Sequence, residues 1–157
     1  LDLRIAGIAY RVRYENDRIT ATVKWDNKVE DGLHSREEFN LVINDERFAM
    51  EPDIEAFESS EAYDVLIKAA GSKKLKEVMK MDFTRELLNI DTGDSISALS
   101  FDIGTVHGES GDVPISEMEL EWYHGSEEDF KYIANKLAEK YNLKAENISK
   151  LQKGFAE

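Results

Sequence analysis

Arg11 and Arg13 stand two residues apart, as do Thr22 and Lys24, Arg36, Glu38 and Asn40 in turn, and then Glu117, Glu119 and Glu121. Each set alternates with apolar residues. Side chains two apart on a strand point to the same side, so each set shares one face of its strand. The chemistry available to such faces is specific. Guanidinium forks match phosphate oxygens, and carboxylates suit hard divalent ions such as Mg2+ or Mn2+. The three glutamates stand ~7 Å apart and repel one another unless cations lie between them.

The plain alternative is an antiparallel sheet with one face in the core and one in water, which produces the same alternation. Two features weigh against it. Arginines gather on the early strands and glutamates on the last, whereas a wet face mixes signs. The opposite face carries Tyr10, Tyr14, Trp25, Phe39, Leu41 and Trp122, enough to pack against helices. A sheet curling closed with that apolar face outward turns its charged face into a lined tunnel.

The elements that must position these residues follow from periodicity. Ile8–Tyr14, Ile19–Trp25 and Arg36–Ile43 read as three strands, joined through an Asn16-Asp17 turn and a loop over Asp26–Leu33. From Pro52 to about Val78 the apolar spacing becomes helical, with Gly71 separating two helices. Strands return over Met79–Ile90, Ser95–Val106 and Val113–Tyr123, and Ser126 opens a helix whose face carries Phe130, Ile133, Leu137 and Tyr141. Short connections make the pairing antiparallel. The expectation is one α+β domain with six strands.

Bulk properties bound the function. With 157 residues there is room for one domain with a real core. The net charge of −13 excludes a general nucleic-acid binder but not a small anion held by a local basic field. No cysteine is present, which removes disulfides, thiolate zinc and cysteine nucleophiles, and fits a cytoplasmic setting. No apolar run reaches the ~20 residues of a membrane span. His34, His107 and His124 are scattered in or beside loops and read as surface residues. Ser116 lacks a paired histidine and base, so nucleophilic serine chemistry has little support.

Several runs together resemble the CYTH domain, the triphosphate tunnel metalloenzyme family. They begin with Leu3-Arg4-Ile5-Ala6-Gly7-Ile8-Ala9-Tyr10-Arg11-Val12-Arg13, Thr22-Val23-Lys24 and Gly32-Leu33-His34-Ser35-Arg36-Glu37-Glu38-Phe39-Asn40. They resume at Ala98–Gly104, Ile115–Glu121 and Ser149–Gly154, in the family's order over nearly the whole chain. The resemblance implies an eight-stranded antiparallel tunnel that hydrolyses or rearranges triphosphates with Mg2+ or Mn2+. It assigns Arg11, Arg13, Lys24, Arg36, Arg85 and Lys150 to the triphosphate. Glu117, Glu119 and Glu121 become the metal candidates, and Glu38 and Glu119 the catalytic ones. Glu121 and Asp102 could instead orient a basic neighbour.

The family's N-terminal Glu-x-Glu-x-Lys strand is not in this sequence. The expectation is therefore a single CYTH-like domain over 1–157, N-terminally incomplete, with that strand upstream of Leu1. The Gly32–Asn40 stretch is most similar to the bacterial inorganic triphosphatases, with thiamine triphosphatase and class IV adenylate cyclase as relatives on the same fold. The partner implied is a small triphosphate rather than nucleic acid or membrane, bound by a monomer or homodimer. A triphosphate- or polyphosphate-binding module without turnover is the alternative from a different class.

Overall fold

A computed structural model describes residues 2–155. The chain divides into two compact units, residues 1–77 and 78–157, and each is described by itself.

The first unit opens with a short helix, α1 (Asp2–Ile5), and a three-stranded antiparallel meander, β1 (Ala9–Glu15), β2 (Arg18–Glu30) and β3 (Leu33–Val42). Its hairpins turn on residues that tolerate the left-handed region: Asn16 at φ 52° in the first, Asp31 at φ 46° and Gly32 at φ 80° in the second. After the sheet come α2 (Glu46–Met50), a single 3-10 turn (Ile54–Phe57) and α3 (Glu61–Ala70). Ser60 caps α3 by accepting from the Tyr63 amide, and Gly71 ends it at φ 59°.

These helices cover the apolar face of the sheet. Ala21 and Val23 pack with Ala49, Ile54, Phe57, Ala62 and Leu66, all buried. The Tyr10 and Phe39 rings meet Phe57 edge-on at 5.4 and 6.0 Å. The Tyr10 and Tyr14 hydroxyls donate to the carbonyls of Asp53 and Ala49, which ties β1 to the helical segment. With that face filled by hydrocarbon, period-two geometry leaves Arg11, Arg13, Thr22, Lys24, Glu38 and Asn40 on the other.

The second unit is another antiparallel meander, β4 (Lys80–Asp91), β5 (Ser95–Gly108) and β6 (Gly111–Gly125). It is followed by α4 (Glu127–Tyr141) and a short α5 (Lys150–Lys153). Ser126 caps α4 through the Asp129 amide, and Asn142 closes it in the left-handed region. Thr92 and Ser95 both donate to Asp129, which binds the start of α4 to the β4–β5 turn. Ser149 and Gln152 form a reciprocal capping box at α5.

The α+β class and all six expected strands are present, and both sets pair antiparallel. Three expectations need correction. The stretch Asp26–Leu33 is not a loop: β2 continues to Glu30 past an irregularity between Trp25 and Lys28, and β3 starts at Leu33. A bulge shifts the alternation and hides the strand from period-two reading. Secondly, no helix follows Gly71; the chain runs without regular structure to Lys80. Leu75, Val78 and Met79 are the only apolar residues there, too few to bury a helical face, and of these Leu75 alone packs on the first unit's core. Finally, α2 was not expected, although Asp45 caps it by accepting from the Arg47 amide. No described helix is long and apolar enough to cross a membrane.

Candidate functional site

The register of the first sheet places its charged residues in rows. Arg11 lies opposite Thr22, which lies opposite Asn40; Lys24 lies opposite Glu38; Arg13 lies opposite Thr20. Arg36, two residues before Glu38, extends the same face. An open cavity of about 240 Å³ is lined by Arg11, Arg13, Glu15, Arg18, Thr20, Thr22, Glu38 and Asn40. No aromatic or aliphatic residue lines it.

A hydrogen-bonded chain fixes this face. The Thr22 hydroxyl donates to the Asn40 side-chain oxygen Oδ1 at 2.6 Å, and the Asn40 side-chain Nδ2 donates to Glu38 at 2.8 Å. Glu38 in turn pairs with the Lys24 ammonium. Burial by itself would raise the Glu38 carboxyl, but Lys24 and Asn40 outweigh it and hold it below the usual glutamate value. For Lys24, burial wins: its ammonium falls below the ordinary lysine value, with Arg36 and Arg11 adding to the fall and Glu38 opposing it. The face therefore carries an ionised carboxylate among cations.

The expected triphosphate residues Arg11 and Arg13 line the cavity, while Lys24 and Arg36 stand on the same face beside it. Arg18, Thr20, Thr22 and Asn40 were not among the expected site residues. Arg18 and Thr20 continue the alternation of Thr22 and Lys24, so the pattern itself carried the signal.

The second unit gathers the remaining expected residues around Asp102, whose side chain is fully buried. Arg85 grips it side-on, Nε to Oδ1 and Nη2 to Oδ2, both at 2.6 Å. The same guanidinium donates to Glu119 at 2.8 Å. Lys150, from α5, places its Nζ 2.9 Å from Asp102 and 2.7 Å from Glu117, and it also pairs with Glu119. Lys153 pairs with the other Glu117 oxygen and, at 3.0 Å, with Glu146.

Burial alone would raise the Asp102 and Glu119 carboxyls. The Arg85 and Lys150 cations override it and hold both below their usual values. Burial would likewise lower the Lys150 ammonium, but Glu117 and Glu119 push it above the ordinary lysine value. Arg85 is held more firmly protonated by the Asp102 pair.

The structure thus brings Arg85, Lys150, Glu117 and Glu119 together and places Asp102 at their centre. Glu121 lies farther along β6, opposite Ala98 and exposed, outside the described ion pairs around Lys150. Asp102, expected only as a residue that could orient a basic neighbour, pairs with both Arg85 and Lys150; Lys153 was left outside the expected set, although the pattern Ser149–Gly154 contained it. His107 sits at the far end of the sheet between Asp112 at 2.8 Å and Asp82 at 3.4 Å, half-exposed.

The donor chemistry of Asp102, Glu117 and Glu119, hard carboxylate oxygens, suits Mg2+ or Mn2+. Their arrangement does not. All six oxygens are taken by Arg85, Lys150 or Lys153. Among the described residues, no group of three or more acidic or histidine side chains is arranged to hold a metal ion.

The first sheet thus carries cations whose geometry matches phosphate oxygens, and the second gathers carboxylates around Arg85 and Lys150. Residues 1–155 match the CYTH domain, and the chain belongs to the CYTH family. Among curated proteins it is 26% identical over 145 residues to an inorganic triphosphatase from Haemophilus influenzae. That alignment covers 92% of this chain and 39% of the relative, so the chain spans about two fifths of that protein's length.

Proposed function

We propose that the chain binds inorganic triphosphate on the basic face of the first sheet and acts in its hydrolysis to pyrophosphate and phosphate. One observation carries this reading. In a chain of net charge −13, Arg11, Arg13 and Arg18 converge on a cavity whose other lining residues are all polar or acidic. Thiamine and nucleotide triphosphates carry rings that favour aromatic or apolar surface, and this lining offers none. The family and the triphosphatase relative support the same substrate class.

The chain's own side chains supply positioning and charge. Arginine forks neutralise the phosphoryl oxygens and hold the anhydride in line for attack by water. Water oxygen forms the new bond to the terminal phosphorus, the bridging P–O bond breaks, and pyrophosphate leaves. Glu38, kept ionised by Lys24 and Asn40, orients that water as an acceptor rather than taking its proton outright. Arg36 and Lys24 extend the cationic field, and Arg85 and Lys150 belong to the same reading as anion-binding residues. Glu117, Glu119 and Glu121 remain its acidic candidates, with Glu119 the second catalytic one. Mg2+ or Mn2+ dependence enters from the family. In this reading the chain is one CYTH domain in a cytoplasmic setting, contributing to an eight-stranded tunnel.

Isothermal titration with tripolyphosphate, thiamine triphosphate and ATP, paired with phosphate-release assays, tests it. Tripolyphosphate should bind tightest, and Arg11→Ala with Arg13→Ala should abolish that preference. Equal binding of all three, or cyclic AMP formed from ATP, overturns the substrate assignment. The ion pairs that fill the carboxylates of the second unit favour a second reading, a triphosphate-binding module without turnover. Tight binding with no phosphate release under any divalent ion selects it.

A further inference from the structure

Glu38 is held at both oxygens, and the two holds differ in kind. Lys24, its register partner on β2, pairs with Oε2. The Asn40 side-chain Nδ2 donates to Oε1 at 2.8 Å. In the second unit Asp102, Glu117 and Glu119 face the cations Arg85, Lys150 and Lys153 instead. A neutral amide fixes the direction of a carboxylate without bringing a charge to neutralise it.

Asn40 can do this in one orientation only. An ionised carboxylate accepts and does not donate, so Asn40 must turn its Nδ2 towards Glu38 and its Oδ1 away. Oδ1 then meets the Thr22 hydroxyl, which donates to it at 2.6 Å. The backbone prepares both contacts. Glu38 and Asn40 stand two apart on β3 and share a face, and Thr22 is the register partner of Asn40. Thr22 is 1% exposed and its β-branched side chain is stiff, so the hydroxyl starts from a fixed point. Asn40 is exposed, and its amide torsion is broad without such an anchor.

We infer that Asn40 is a positioning residue for Glu38, and that Thr22 acts on Glu38 through Asn40. The inference rests on the reading of Glu38 as the group that orients the attacking water. Donors run in one line, from the Thr22 hydroxyl to the Asn40 amide to the carboxylate, and each bond polarises the next. With one site on each oxygen taken, the remaining lone pairs of Glu38 keep one direction. In-line attack by a water bound there requires that constancy. Thr22, Glu38 and Asn40 all line the cavity. A cross-strand contact of structural value alone would stabilise the sheet and leave turnover unchanged.

Steady-state turnover of tripolyphosphate, together with NMR of the Asn40 side-chain amide, tests this. Asn40→Ala should lower kcat about tenfold, the scale of one hydrogen bond to a charged group, with KM held within about twofold. Thr22→Val, which removes the hydroxyl, should lower kcat by a similar or smaller factor, and Thr22→Ser should recover most of that loss. The double variant Thr22→Val with Asn40→Ala should be no slower than Asn40→Ala, and Asn40→Ala should cost nothing further in a Glu38→Ala background. In the spectra, Thr22→Val and Glu38→Ala should each shift the Asn40 amide protons. Multiplying losses in the double variant, or a rise in KM with kcat unchanged, overturns the inference. So do Asn40 signals that neither variant moves. Asn40 is exposed, so its variant stays folded and testable even where Thr22→Val does not. The spectra need no turnover. A chain that binds tripolyphosphate without hydrolysing it ends the hydrolysis reading, and the amide signals still decide whether Thr22 and Asn40 hold Glu38.

Discussion

Arg85 and Asp102 meet across neighbouring strands as a bidentate pair, with both N–O distances 2.6 Å and the aspartate side chain wholly out of solvent. They are register partners of β4 and β5, so backbone pairing alone sets them side by side. Lys150 reaches the same carboxylate from 48 residues farther along the chain, through α5, and only folding brings it there.

Removing one member of a buried ion pair strands the charge of the other. Asp102→Ala leaves Arg85 and Lys150 facing fewer acceptors, each with a mostly buried side chain. The expected loss is about 3 kcal/mol of unfolding free energy, at the low end for broken buried pairs. Urea denaturation measures it, and a loss below about 1 kcal/mol would assign the pair no structural role.

Arg11 and Arg13 line the cavity without an apolar neighbour in its wall. Charge-assisted hydrogen bonds contribute roughly 1.5–3 kcal/mol each. Either arginine changed to alanine should therefore weaken tripolyphosphate binding about ten- to a hundredfold. Calorimetric titration gives the number, and Arg47→Ala, on an exposed helix, should leave it unchanged.

Phe57 is the hub of the first unit's core, 1% exposed and ringed by Tyr10 and Phe39. Phe57→Ala should cost about 3–5 kcal/mol through lost burial and the cavity left behind. Tyr10→Phe removes only the hydrogen bond to the Asp53 carbonyl and should cost about 1 kcal/mol. Burial pushes the Tyr10 phenol up to about 12. An alkaline absorbance titration should show one tyrosine ionising last, and Tyr10→Phe should remove that step.

The His107 imidazolium is favoured first by its hydrogen bond with Asp112, so its pKa lies above the ordinary 6.5. A group raised in the folded state contributes its stability below the unfolded value and loses it as pH rises through the folded one. Carbon-bound proton shifts in NMR should give a midpoint above 6.5, and Asp112→Asn should bring it down. A midpoint unmoved by that change would show the contact to be incidental.

Much of the arrangement was legible beforehand, for a physical reason. Strand geometry is local: Arg11 and Arg13, or Glu117 and Glu119, must share a face because the pleat repeats every two residues. Tyr10, Val23 and Phe39 then had to face hydrocarbon, and Ser126 and Gly71 had to punctuate helices. The same local logic failed where geometry is irregular. The bulge after Trp25 concealed the rest of β2, and helical spacing past Gly71 lacked the apolar area to fold as a helix.

The pairing of charges was beyond such reading. Sequence alone determined that this chain carries same-side arginines, same-side glutamates and a terminal Lys150-x-x-Lys153, and hence the kinds of ion it can meet. Tertiary structure decided that Lys150 meets carboxylates, that Asp102 is the buried centre, and that Asn40 links Thr22 to Glu38. A charge's partner depends on which residues folding brings within a few ångströms, and separation along the chain does not encode that distance.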